Sequence, residues 1–350
     1  PEVVMVYSDS GLNGMSQTYH ELYRSRLARG PWRDRARPIL INNWEATYFD
    51  FDEEKILKLA RTAKDVGVEL FVLDDGWFGR RDDSRSSLGD WYPYRKKLPE
   101  GVAGIARRIE EMGLAFGLWI EPEMVNKDSD LYRAHPDWML SAPGRSACHG
   151  RNQFVLDFSR EEVVEYIYQM LRHVLDEAPV SYIKWDMNRC MSEVYSRAGR
   201  PEEQGMVFHR YILGVYSLYE KLIRRYPHIL LESCASGGAR FDPGMLYYAP
   251  QCWTSDDTDA VERLKIQYGT SMVYPLSSMG AHVSAVPNHQ TGRVTPLAAR
   301  GIVAMAGSFG YELDLNLLSD EEKEEVKEQI KTFKKYYDLT HEGEYYRLTN

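Results

Sequence analysis

The sequence predicts an α/β protein folded as a single-domain (β/α)8 TIM barrel. Three observations predict it. Helix-like apolar stripes alternate with short apolar runs over most of the 350 residues. The apolar runs end in acidic or aromatic clusters. Two units share one rhythm, helix, glycine, buried strand and polar cluster, which is the repeating step of a parallel sheet. A barrel of this kind takes about 250 residues, and its active site sits at the C-terminal strand ends.

The elements follow in order. Residues 1–38 read as a connector, and the basic run "ELYRSRLARGPWRDRARP" within it reads as exposed linker, not a nucleic-acid arm. "PILINNWEATY" is a first strand ending near Trp44 and Glu45. A stripe at Ile56, Leu59, Ala60, Ala63 and Val66 is a helix, with Gly67 as its stop. A second strand then runs into Asp74 and Asp75. Val102, Ile105, Ala106, Ile109 and Met112 repeat the pattern, with Gly113 as the stop and a strand running into Trp119, Glu121 and Glu123. "NQFVLDFS" is read as the fourth strand and "SYIKWDMN" as the fifth, separated by a helix from Glu161 to about Glu177. "HILLESCASGG", "PQCWTSDDT" and "PLSSMGAHV" complete the eight, with helices at about Met206–Tyr226, Ala260–Tyr268 and Pro296–Ala306. This places the barrel over 39–318. Residues 319–350 read as an exposed, charge-laced helix capped by Ser319, followed by a tail.

Composition narrows the function. Charged residues make up 27% and the net charge is -9, so a nucleic-acid or anionic-membrane partner is not expected. No stretch approaches the roughly 20 apolar residues of a membrane span. Four cysteines without metal spacing suggest a reducing, cytoplasmic setting. The chain has 24 Tyr and 8 Trp, and flat rings bury the C–H faces of sugars well.

The chemistry lies at the strand ends. Lys184, Asp186 and Asn188 are two apart, so they share one face of a strand and point into the mouth. Asp74, Asp75 and Asp256 bring carboxyls from other strands. Ion pairing with Lys184 and Arg151 would explain any single one, but not the collection. Glycoside hydrolysis by two carboxyls suits the ring. A carboxylate-bound divalent metal is a second reading. Schiff-base chemistry at Lys184 is a third, disfavoured because Asp186 would hold the lysine protonated. Cys234 lacks a triad signature and reads as a pocket wall. His282 and His289 flank a loop over the mouth and receive no catalytic role.

"KWDMNR", "LESCASGGARFDPGMLYYAPQCWTSDDTDAVERLKIQYGTSMVYP" and "GAHVSAVPNHQTGR" resemble the catalytic barrel of glycoside hydrolase family 36, the bacterial α-galactosidases. The likeness runs from "NNWEATYFDF" to "GYELDL". It implies a retaining exo-glycosidase that removes terminal α-linked galactose from raffinose-family sugars, melibiose and aryl galactosides. It implies no metal and no organic cofactor. Asp186 would be the nucleophile and Asp256 the acid/base. Asp74 and Asp75 would grip galactose O4 and O6, with Lys184, Arg151 and Asn188 on further hydroxyls. Cys234 and Gly237 would lie near O2, and Trp44 and Trp119 would wall the pocket. Lys184 is expected to favour ionised Asp186, and Asp257 with burial to raise the pKa of Asp256. Family members carry β-domains on both sides of the barrel and form homotetramers, so this chain reads as an isolated catalytic domain, monomeric on its own. The alternatives are an α-galactosyl transferase, an α-N-acetylgalactosaminidase, and a sugar-binding barrel inactive without its other domains.

Overall fold

The structure, a computed structural model, describes residues 2–348. Eight parallel strands close into a barrel in consecutive order: β1 (Leu40–Asn42), β2 (Leu70–Leu73), β3 (Ala115–Ile120), β4 (Val180–Trp185), β5 (Leu230–Ser233), β6 (Gln251–Trp253), β7 (Met279–Ser284) and β8 (Ser308–Glu312). Each is followed by a helix: α1 (Glu53–Val66), α2 (Gly101–Glu111), α3 (Glu161–Glu177), α4 (Val207–Arg225), α5 (Pro243–Tyr248), α6 (Ala260–Thr270), α7 (Leu297–Ala304) and α8 (Asp320–His341). The predicted fold class is therefore the observed one.

Local chemistry sets the units. The side chain of Asp52 caps α1 by accepting from the Lys55 N–H, and Gly67 ends it in the left-handed conformation. The face of α1 carrying Ile56, Leu59, Ala60 and Ala63 is buried against the strands. The same logic places Val163, Val164, Ile167 and Leu171 of α3 inward. Inside the barrel, Leu40, Leu70, Val72, Tyr182 and Leu230 form a separate apolar floor. Along β4 the inward column climbs from Tyr182 to Lys184 and continues to Asp186 just past its end. The outward Trp185 stacks on Tyr219 of α4 at 3.9 Å. Period-2 geometry thus sorts apolar packing from polar mouth along a single strand.

Four sequence readings change. "NQFVLDFS" is not a barrel strand: Phe154–Val155 pairs antiparallel with Met124–Val125 above the β3 end. The run is buried, so its apolar pattern matched that of a parallel strand. The eighth strand is Ser308–Glu312, which pairs with β1 and β7 and closes the barrel. The helix capped by Ser319 is α8, the outer helix of that last unit. Its Val326, Ile330 and Phe333 are buried, with Phe333 stacked on Phe309 at 4.9 Å. Within 1–38, the helix Gly11–Leu22 packs on the segment after α6 through Ser16 and His20, and Tyr23 stacks on Tyr274. Arg37, in the run read as exposed, is buried.

Gly214 marks the tightest helix-to-loop contact, since a Cβ there would lie 1.9 Å from the Phe158 carbonyl oxygen. Gly214→Ala should lower stability by about 1–3 kcal/mol through overpacking. Thermal unfolding checks this, and an unchanged Tm would show that α4 sits farther from the loop.

Candidate active site

A cavity of about 200 Å³ opens at the C-terminal end of the barrel. Trp44, Asp74, Asp75, Trp119, Arg151, Lys184, Asp186, Asn188 and Asp256, all singled out in the sequence, line it. Glu45, Trp253, Thr258, His289, Gln290 and Glu312 join them. Cys234 and Gly237 do not line the cavity. They lie beneath its wall, where the Gly237 N–H donates to Cys234 Sγ at 3.4 Å. Gly237 has φ +89, and a Cβ there would come within 2.6 Å of Ser255 Cα. Its role is to let two strand-end loops touch. Asp259, from the acidic run after β6, accepts from the Val261 N–H as the cap of α6 and pairs with Arg293 at 2.8 Å.

Six carboxyl groups share this space, and the structure satisfies them in two ways. Four meet a basic side chain. Lys184 Nζ donates to Asp74 Oδ2 at 3.3 Å. Arg81 clasps Asp75 with both nitrogens, Nε to Oδ1 at 2.5 Å and Nη2 to Oδ2 at 2.8 Å. His282 Nδ1 meets Glu312 at 2.9 Å, and His289 Nδ1 meets Glu45 at 3.3 Å. Among the described residues, Asp186 and Asp256 have no cation within ion-pair distance. Asp186 Oδ2 accepts from Asn188 Nδ2 at 2.7 Å and Trp119 Nε1 at 3.2 Å. Its Oδ1 accepts from the Met187 N–H at 2.8 Å. Asp256 Oδ1 accepts only from Trp253 Nε1, at 3.1 Å.

Position on the strands explains the sorting. Asn42 at the end of β1 donates to Asp74 at 2.6 Å, and Asn43 holds the Asp74 backbone N–H at 2.8 Å. Arg151 sits in a tight turn closed by hydrogen bonds between Gly150 and Gln153, its φ of 51 carrying the side chain to the rim. The loop bearing His289 and Gln290 is tied down by Asn288, which donates to Thr258 at 2.9 Å, and by Gln290, which donates to the Asp256 carbonyl at 2.9 Å. Thr258 in turn donates to Glu45 at 2.6 Å.

The charges follow from these contacts. Burial pushes Asp74 up to about 6 against the opposing pull of Lys184 and Asn42. Burial alone would lower Lys184, but Asp74 and then Glu312 outweigh it and hold the ammonium charged. The partner that keeps the lysine protonated is therefore Asp74, not Asp186, which corrects the sequence reading. Asp256 is raised by burial and next by the Asp186 charge. Asp257, expected to do this, instead accepts from the Asp259 N–H. The hydrogen bond to Glu45 raises His289 above its usual range.

The family model described as Melibiase matches residues 1–343. The chain belongs to the Melibiase family. Alpha-galactosidase AgaA of Geobacillus stearothermophilus is 64% identical over 348 residues, which cover 99% of this chain and 48% of that protein. A crystal structure of AgaA, a glycoside hydrolase family 36 alpha-galactosidase, superposes with a TM-score of 0.97 at 63% identity, covering 99% of this chain and 48% of that one. An alpha-galactosidase of Lactobacillus acidophilus is 54% identical over 348 residues, 99% of this chain and 48% of its own length. The chain therefore spans about half the length of the curated relatives it matches. The family resemblance read from the motifs is confirmed. Among the described residues, no helix is long and apolar enough to cross a membrane, and no three His, Cys, Asp or Glu side chains group as a metal site would require.

Four of the additional lining residues come from elements the sequence reading left unassigned or without a role. Glu312 ends the overlooked eighth strand. Glu45 follows β1, and His289 and Gln290 ride the loop after β7. "SFGYELD" carried a usable signal, an apolar run ending in an acid, the same pattern as β2.

Lys184→Met removes the ammonium paired with Asp74, so the carboxyl should titrate above its present value of about 6. A raised folded-state pKa means the folded chain keeps a proton that the unfolded chain releases, so stability falls as pH rises through that window. The variant should thus lose most against wild type above pH 6, and a midpoint at or below 6 by carboxyl-carbon NMR would contradict the pairing.

Proposed function

We propose that this chain is the catalytic barrel of a retaining exo-α-galactosidase acting on raffinose-family oligosaccharides, melibiose and aryl galactosides. One observation carries the reading most directly. Of six carboxyls in the cavity, four are matched to basic side chains, and the two left for chemistry are Asp186 and Asp256. Carboxylates bound by N–H donors alone keep a lone pair free, while a cation clasp holds a carboxylate in a fixed pose.

The division of labour follows. Asp186, steadied by Trp119 and Asn188, attacks the anomeric carbon and forms a glycosyl ester. Asp256, whose proton is favoured by burial and by Asp186, protonates the leaving oxygen and then takes a proton from water. Asp74, Asp75, Lys184, Arg151 and Asn188 bind sugar hydroxyls, and Trp44 and Trp119 cover the ring. Cys234 and Gly237 act from behind the wall at the O2 side. The room of about 200 Å³ lies below the roughly 300–1,000 Å³ of drug-sized pockets, which suits one terminal sugar with the remainder outside. AgaA variants crystallised with raffinose and with stachyose share this barrel at TM-scores of 0.97 and 0.98. Four free cysteines suit a cytoplasmic location.

Asp186→Ala and Asp256→Ala should each lower kcat on nitrophenyl α-galactoside by about 1,000-fold or more. Wild-type turnover in Asp186→Ala would end the assignment. The alkaline limb of kcat should report loss of the Asp256 proton, so activity falls as pH rises through its raised pKa. In Asp186→Asn, tested by direct carboxyl titration, that pKa should fall.

A further inference from the structure

We infer that Glu121 is a positioning residue for the glycosyl-transfer step, acting on Asp186 through Asn188; this rests on the glycosidase reading above. Glu121 lies just past β3, two residues beyond Trp119. It is fully buried and does not line the cavity. Its Oε1 accepts the backbone N–H of Asn188, and its Oε2 accepts from Gln153 Nε2 at 3.0 Å.

Asn188 stands in irregular chain after β4, so no strand ladder fixes it. Three side-chain contacts do. Its backbone N–H goes to Glu121. Its Oδ1 accepts from Ser236 Oγ at 3.0 Å. Its Nδ2 then points at Asp186 Oδ2, the closest N–H donor to either carboxyl oxygen of that residue. The other donor to that oxygen, Trp119, lies on β3 two residues before Glu121. One short stretch at the end of β3, Trp119 to Glu121, thus governs both N–H groups that aim Asp186 Oδ2.

The neighbouring Glu123 shows what a carboxyl held for stability looks like here. Arg240 clasps it with two bonds of 2.8 Å, and Trp185 Nε1 and Tyr211 add to them. Glu121 has no such clasp. Burial, reinforced by the Asp186 charge, pushes its pKa well above the ordinary carboxyl range. Keeping an acid buried beside another acid costs stability, and strongly perturbed groups of this kind gather at functional sites. Removing the acceptor would orphan a buried N–H and free the Asn188 backbone. A shift of about 1 Å in a positioning group can cost on the order of 100-fold in rate.

The test compares Glu121→Gln, Glu121→Met, Asn188→Ala and the Glu121→Met/Asn188→Ala double variant with wild type. The readouts are kcat and KM on nitrophenyl α-galactoside, with thermal unfolding as a control for folding. Glu121→Met fills the volume without an acceptor and should lower kcat by about 100-fold while KM moves by less than about fivefold. Glu121→Gln keeps the acceptor and should recover kcat to within about tenfold of wild type. In the Asn188→Ala background, Glu121→Met should cost almost nothing further, because the two act in series. Unchanged kcat in Glu121→Met, equal loss in Glu121→Gln, or full additivity in the double variant would each overturn the inference. A wild-type chain without turnover would instead overturn the glycosidase reading, and this inference with it.

Discussion

The structure depends on one electrostatic constraint: six carboxyl groups brought by barrel closure into a cavity of about 200 Å³. Charges confined this closely, with limited water, must be matched or must hold protons. The chain matches four with bases, three of them from other elements. Lys184 rises from the floor to Asp74, and Arg81 reaches Asp75 from the same loop. His282 and His289, from β7 and the loop after it, serve Glu312 and Glu45. Eight-strand closure makes the His289–Glu45 pairing possible, because β8 and β1 are neighbours only in a closed barrel.

The two carboxyls left over are then distinguished by their surroundings. Asp186 receives several N–H donors, which hold its carboxylate in one pose. Asp256 receives one, and the field of Asp186 works against its ionisation. Two like groups facing the same space are set apart, one steadied by N–H donors and the other with its proton favoured. Lys184 takes part less directly than its sequence position suggests: its charge balances Asp74 and Glu312, leaving the region around Asp186 to neutral donors.

Much of this was legible in the sequence. The glycine-stopped helices and the inward column of β4 followed from local periodicity, and the strand-end rule located the mouth. What failed depended on long-range partners. Phe154–Val155 and β8 are both short buried apolar runs, and only their pairing partners distinguish a barrel strand from a side hairpin. The partner of Lys184 could not be read from spacing, since Asp186 is closer in the chain but Asp74 is the one across the barrel. Glu45, His289 and Glu312 meet only after closure. Cys234 and Gly237 sit at the right strand end, yet their contacts tie two loops together behind the cavity wall.

The central claim is that Asp186 is the group left free to form a covalent bond with the sugar. The most direct measurement is peptide mass spectrometry after incubation with a fluorinated α-galactosyl trapping reagent. The account predicts a single glycosyl adduct on the peptide that contains Asp186. An adduct on Asp74, Asp256 or Glu312 would contradict it, as would a product of inverted anomeric configuration.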